Sequence, residues 1–210
     1  MSATSGALVQ FGCGTCTPKG WRNFDASPTL RLQRIPIIGP ILTTGTARFP
    51  SGVEFGNVVQ GLPLTSGMAK AVYCSHVLEH LSFDELPKAL RETHRILVSG
   101  GIFRGVLPDL EFHAKAYVAD ASERAAERFM EETLLGIKSR GSGITRLLET
   151  GFGNSQHLWM WDYKGLVREL EHAGFKHIRK AVLGDSQEKA FCSVEEVGRW
   201  QNCLGFECTT

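Results

Sequence analysis

Short β-rich runs alternate with amphipathic helical stretches along most of the chain, and that alternation is the signature of an α/β sheet with helices on both faces. Residues 7–11, 21–25, 53–59, 69–74, 102–107 and 177–183 read as strands, with a last one over 206–210. Ser82 with Glu85 three positions on has capping-box spacing, and Leu86, Ala89, Leu90, Ile96 and Leu97 then recur on a helical stripe that Ser99-Gly100-Gly101 stops. Residues 110–135 read as helical, a short apolar helix fits 144–148, and Asp162 is placed to cap a helix through Leu166, Val167, Leu170 and Ala173, with Gly174 beyond its end. The expected fold is therefore a Rossmann-like, mostly parallel sheet. One connection is unusual. Between the first two strands, residues 12–20 contain Pro18 and Gly20 and leave no room for the crossover helix that parallel neighbours normally need. That first helix is expected to be missing or very short, unless the two strands are not neighbours.

With 210 residues, 42% of them hydrophobic, the chain can bury one full core, and a single domain over 1–210 is expected. Lys and Arg number 23 against 22 Asp and Glu, so no basic excess points to nucleic acid. No apolar run is long enough to span a bilayer, since the stretch 35–42 is interrupted by Pro36, Gly39 and Pro40. Residues 1–6 lack a basic segment leading into an apolar block, so no signal peptide is read and a cytoplasmic location is expected. In that setting the six cysteines are expected as thiols.

An open α/β sheet binds its ligand at the carboxyl ends of its strands. Gly12-Cys13-Gly14 follows the first run, Asp25 ends the second, Asn57 and Val58 belong to the third, and Ser75-His76 follow the fourth. Glycines let a ligand lie against backbone, and a carboxylate on the neighbouring strand accepts both hydroxyls of a ribose, which together describe a nucleoside site. An NAD site fits poorly. Thr17 stands where Gly-x-Gly-x-x-Gly has its third glycine, and the acid follows Gly14 by 11 positions, where that fingerprint expects roughly 20.

The segments Ala71-Val-Tyr-Cys-Ser-His-Val-Leu-Glu-His-Leu81, Ala89-Leu-Arg-Glu-Thr-His-Arg-Ile-Leu97, Gly100-Gly-Ile-Phe-Arg104 and Leu107-Pro-Asp-Leu-Glu111 resemble the fourth-to-fifth-strand stretch of class I S-adenosylmethionine-dependent methyltransferases, and more narrowly a compact bacterial branch of them. Phe11-Gly-Cys-Gly14 with Gly20-Trp-Arg-Asn-Phe-Asp25 resembles the shortened cofactor loop and ribose-binding acid of that branch, in which the first helix is usually missing. His157-Leu-Trp-Met-Trp-Asp162 and Ala173-Gly-Phe175 extend the resemblance over nearly the whole chain. It implies S-adenosylmethionine as cofactor, S-adenosylhomocysteine as product, and a cofactor site of Phe11, Gly12, Cys13, Gly14, Asp25, Ala26, Asn57, Val58, Ser75 and His76. In that implied site Gly12 and Gly14 meet the methionine part, Asp25 the ribose, and Asn57 with Val58 the adenine edge. Two positions depart from the pattern: Gln10 and Asn57 stand where many members carry an acid, although an Asn oxygen still accepts a hydrogen bond from an adenine amino group.

Methyl transfer from a sulfonium is an in-line displacement, so the protein chiefly holds the reactants in line and excludes water. A hydroxyl acceptor also gains from a general base, and His is the side chain suited to that near neutral pH. The candidate catalytic residues are His76, placed first because it follows the fourth strand directly, and His157, with His80 behind them. Each also has a structural reading as a hydrogen-bonded histidine. Trp159, Met160 and Trp161 read either as core or as an acceptor wall, and Asp109 and Glu111 as acceptor contacts or as helix caps. Glu79 and His80 suggest a metal, but two ligands without a clear third lead to an expectation of none.

The reading is a methyltransferase acting at oxygen on a small-molecule or sugar-type acceptor, with acceptor-side segments around 26–52 and 110–162. Neither nucleic acid nor membrane is expected as a partner. Alternatives are a thiol redox protein using Cys13 and Cys16, which lacks room for the helix such a pair needs, a zinc site of Cys13, Cys16, Cys203 and Cys208, and a non-catalytic S-adenosylmethionine-binding module.

Overall fold

The computed structural model describes residues 6–37, 39, 43–44, 48–137 and 156–210. Its strands β1 (Ala7–Phe11), β2 (Trp21–Asp25), β3 (Val53–Phe55), β4 (Ala69–Ser75), β5 (Leu97–Pro108), β6 (Lys176–Ala181) and β7 (Cys203–Thr209) form one sheet in the order β3-β2-β1-β4-β5-β7-β6. Pairs from β3 through β5 are parallel, and β7 runs antiparallel between β5 and β6. Strand order reverses at β1, which pairs with β2 on one side and β4 on the other. The crevice outside the carboxyl ends of β1 and β4 is thus the switch point of the sheet, where α/β folds bind ligands.

β1 and β2 are direct neighbours although no helix joins them. Side chains do what a crossover helix would have done. The buried Gln10 donates from Nε2 to the Cys16 carbonyl at 2.8 Å and to Asn23 Oδ1 at 2.6 Å, and Asn23 donates on to the Trp21 carbonyl. This amide pair clamps the loop to the strands on both sides of it.

Helices α1 (Pro28–Gln33), α2 (Leu86–Ile96), α3 (Leu110–Ala119), α4 (Ala125–Glu132), α5 (Tyr163–His172) and α6 (Val197–Trp200) fill the connections among the described residues. α1 lies in the segment 26–52, rich in proline and glycine, where no helix is expected; Ser27 Oγ accepts from the Thr29 amide and Pro28 opens the helix, where its missing N–H costs nothing. Only half of the expected capping box before α2 forms, with Glu85 accepting from the Ser82 amide at 2.9 Å. The stretch 110–135 breaks at Asp120, whose carboxylate takes the Ser122 amide and ends α3. Asp162 caps α5 through the Gly165 amide at 2.7 Å, and Gly174 beyond it adopts φ +97°. The helix proposed for 144–148 lies outside the described residues.

α2 and α5 bury their apolar stripes on one sheet face, where Leu86, Leu90, Ile96, Leu166 and Leu170 meet Val9, Phe11, Phe103 and Phe206. Trp21, Ala71, Tyr73, Phe191 and Val194 form a smaller cluster. Beside it the side chain of Arg104 on β5 is fully buried, pairing with Glu195 at 2.6 Å, Asp185 at 2.9 Å and Glu207 at 3.1 Å and donating to the Val182 carbonyl at 2.7 Å. The Trp200 ring lies 4.8 Å from its guanidinium carbon. One cation therefore ties the chain from Val182 to Trp200 to the middle of the sheet.

This cluster makes acid stability predictable. Partial burial raises the pKa of Asp185, but Arg179, the Val182 amide and Arg104 outweigh it and hold the group down to about 2, against a usual value of 3.8. A depressed carboxylate contributes stability that is full above its unfolded pKa and lost as pH falls through its folded one. Unfolding by urea is expected to show a loss on the order of 2 kcal/mol between about pH 4 and pH 2, and Asp185→Asn is expected to flatten that limb. An unaltered acid limb in the variant removes Asp185 as its cause.

Candidate functional site

A cavity of about 560 Å³ opens at the switch point, and Phe11, Gly12, Gly14, Asp25, Ala26, Asn57, Val58, Ser75 and His76 all line it. The first glycine is required by geometry: Gly12 has φ +65°, and a Cβ there would come within 2.2 Å of Val77 Cγ2. At Gly14 a Cβ would meet nothing within 4 Å, so its backbone borders open space. Asp25 Oδ2 accepts from the Gly14 amide at 2.9 Å and Oδ1 from the Ser27 amide at 2.8 Å. Each oxygen keeps acceptor capacity for a hydroxyl. Asn57 Oδ1 accepts from the Val59 amide at 2.8 Å, leaving its NH₂ and one lone pair for a ligand. An open backbone cradle, a carboxylate and an edge amide within one cavity are a donor and acceptor set that fits an uncharged nucleoside carrying an amino-acid tail.

Cys13 differs from the other residues of the loop. It is buried beside Leu30 and Val53, away from the cavity lining. Burial, Asp25 and Cys16 push its thiol up to about 12, so it stays protonated and unreactive at neutral pH. No helix follows Cys16 to lower a thiol pKa, and the redox reading loses its physical basis. Nor are the four cysteines of the suggested zinc site gathered: among the described residues, the group able to hold an ion is Glu79, His80 and His157.

His76 sits at φ +53° directly after β4, its amide bonded to the Val106 carbonyl. Its Nδ1 lies 3.1 Å from Glu79 Oε1 and its Nε2 is 2.9 Å from the Arg199 carbonyl, with Cys203 Sγ at 3.8 Å. Burial opposes protonation, but Cys203, Glu79 and the Arg199 carbonyl together raise the pKa to about 10. The protonated ring then donates from Nε2 to the Arg199 carbonyl and faces the Glu79 carboxylate with Nδ1 as an ion pair, and it offers no lone pair for a base. His157, pushed below the usual imidazole value mainly by burial, is the uncharged ring.

Sequence reasoning did not foresee how His157 arrives. The amides of Leu158 and Trp159 both donate to the Glu79 carbonyl, at 2.7 and 3.2 Å, so the segment before α5 is laid over the turn Leu78–His80. His157 and His76 border a second cavity of about 810 Å³, lined also by Phe112, Tyr117, Arg128 and Asn202. His76 belongs to both cavities, and they meet at that side chain. Trp161 is core, stacked on Phe83, whereas Trp159 is half exposed; neither lines the second cavity. Asp109 caps α3 through the Glu111 amide. Arg199, whose Nη1 is 3.4 Å from Ser75 Oγ, closes one side of the first cavity, a role that its distance in sequence concealed.

Comparison with known proteins agrees with this architecture. A family model described as a methyltransferase domain matches residues 44–104, which hold β3, β4, α2 and part of β5. The chain is 27% identical over 124 residues to the uncharacterized protein YBR225W of Saccharomyces cerevisiae, an alignment covering 58% of this chain and 14% of that much longer protein. Among solved structures, an S-adenosylmethionine-dependent methyltransferase from Thermotoga maritima, described as a possible histamine N-methyltransferase, superposes with TM-score 0.51 at 16% identity, covering 99% of this chain and 84% of that one. A second, from Archaeoglobus fulgidus, gives 0.52 at 12% identity over 98% and 86%. The chain thus shares the fold of these solved structures, and its stretch from β3 into β5 matches a methyltransferase domain.

Proposed function

We propose that the protein transfers a methyl group from S-adenosylmethionine to a hydroxyl oxygen of a small-molecule or sugar-type acceptor. The observation that carries this reading is the meeting of two cavities at His76, one lined by Gly12, Gly14, Asp25 and Asn57, the other by aromatic and polar side chains. When bound, the cofactor supplies an electrophilic methyl on a sulfonium. Asp25 would hold the ribose hydroxyls, Asn57 and Val58 the adenine edge, and the Gly12–Gly14 backbone the amino-acid tail. Ser75 and His76, between the cavities, would border the line of transfer. Of the two candidate histidines, His157 is left to act on the acceptor's proton, since His76 is engaged at both nitrogens.

The second cavity favours a small acceptor. Phe112, Tyr117 and Phe129 offer apolar and ring-stacking surface, while His113, Asp120 and Arg128 offer hydrogen bonds suited to a polyhydroxylated molecule. The net charge of +1 gives no general attraction for a polyanion. No helix among the described residues is long and apolar enough to cross a membrane. Titration calorimetry with S-adenosylhomocysteine is expected to show one saturable site per chain, and a folded sample that takes up none would end the reading.

A further inference from the structure

We propose that Glu79, His80 and His157 form a binding site for a divalent transition-metal ion in the wall between the two cavities, with an open coordination position for an acceptor oxygen. One ligand atom from each of the three side chains lies within 4.8 Å of the others. Small rotations bring such atoms to the roughly 2.0–2.2 Å at which imidazole and carboxylate bind zinc-like ions.

Two observations beyond proximity point to a cation. First, the Glu79 side chain is fully buried, and neither carboxylate oxygen has a hydrogen-bond partner. Protonated His76 faces Oε1 from Nδ1 at 3.1 Å as an ion pair, His157 Nε2 is 3.9 Å from the same oxygen, and Oε2 is left unanswered. A buried carboxylate with one oxygen unanswered is costly unless a further donor or a metal satisfies it. Second, His80 is held as metal-ligating histidines usually are. Its Nδ1 donates to the Gln156 carbonyl at 2.8 Å, which fixes the tautomer and leaves Nε2 as a lone pair. The His157 ring stands edge-on to it at 5.0 Å, and His157 Nδ1 is buried without a partner.

Two imidazoles and one carboxylate select Mn²⁺, Fe²⁺, Co²⁺ or Zn²⁺ over the all-oxygen preference of Ca²⁺ and Mg²⁺. Three protein ligands leave room for a further one, as in catalytic rather than structural sites. His80 lines the first cavity and His157 the second, so that an ion between them lies beside the acceptor. A hydroxyl bound there loses its proton more readily. His157 then promotes deprotonation as a ligand, not as a free base. This acceptor role, though not the ion binding itself, rests on the methyltransferase reading.

The test uses Mn²⁺, which binds thiols weakly and so avoids the six cysteines. The full chain, stripped with chelator, is titrated with Mn²⁺ and followed by calorimetry and electron paramagnetic resonance. One equivalent per chain is expected, weakened tenfold or more in Glu79→Gln and in His80→Ala, with His172→Ala on the exposed end of α5 unchanged. Wild-type protein that is folded by circular dichroism and binds no Mn²⁺, Co²⁺ or Zn²⁺ saturably overturns the proposal, as does equal affinity in all variants. Because half-buried His80 can be removed with little risk to folding, loss of structure in Glu79→Gln leaves the test intact. S-adenosylhomocysteine titrated into the same samples separates the two readings: nucleoside binding without ion binding defeats the metal site alone, and ion binding without nucleoside binding defeats the methyltransferase reading while the metal site stands.

Discussion

Asp25→Ala is expected to weaken S-adenosylhomocysteine binding by two to four orders of magnitude while leaving cooperative unfolding in place. The carboxylate has two duties. It accepts from the Gly14 and Ser27 amides and so sets the spacing between the glycine loop and the start of α1, and its remaining lone pairs face the cavity. Alanine abolishes both. Two charge-assisted hydrogen bonds to ribose hydroxyls, at about 1.5–3 kcal/mol each, account for the magnitude before any loosening of the loop. Calorimetry of wild type and variant checks it, with Asp25→Asn expected in between because the amide oxygen accepts but carries no charge. An Asp25→Ala protein that binds as tightly as wild type would remove the ribose role and with it the main contact on which the cofactor assignment depends.

The largest effect on stability is expected at Arg104. Replacing it with methionine keeps much of the side-chain volume but leaves three carboxylates, Glu195, Asp185 and Glu207, facing one another with Arg179 as the remaining nearby cation. Removing one partner of a buried ionic group costs about 3–5 kcal/mol, because charge is left uncompensated in a poorly solvated place. Urea denaturation at neutral pH should register the whole loss. A change below about 1 kcal/mol would mean that water reaches the cluster in the native state. Part of the wild-type stability should return on acidification of the variant, as the unpaired carboxylates take up protons.

How much of this was legible in the sequence depended on the range of the interaction involved. Strands β1, β2 and β4 and helices α2 and α5 are marked by local periodicity and caps, and they stand within a residue or two of expectation. The carboxyl-end residues of those strands converge because the topology brings strand ends together, which a parallel sheet requires whatever the rest of the chain does. α1 was signalled by Ser27-Pro28 yet was masked by the surrounding prolines and glycines. Asp120 divides one expected helix into two through a side-chain turn that periodicity does not register. The remaining features depend on contacts between distant residues. Gln10 looked like a departure from a family pattern, but with Asn23 it holds the loop. Glu79 and His80 lacked a third ligand until the backbone of residues 157–159 docked on the same turn. Cys13 belonged to the right loop but had the wrong orientation, because its side chain packs under α1 instead of facing the cavity.

The bare connection between β1 and β2 bears on which cofactors the cavity refuses. A helix beginning after the glycine loop would present free N–H groups and the positive end of its dipole, the usual means of holding a pyrophosphate. Residues 12–20 contain no helix, and the Asp25 carboxylate sits on the Gly14 amide where a phosphate oxygen would otherwise go. Dinucleotides and nucleoside triphosphates would thus meet a negative charge without the compensating amides. On the proposed cofactor reading the shortened loop would act as a charge filter, favouring a nucleoside with an amino-acid tail over phosphorylated adenosines that share its base and sugar.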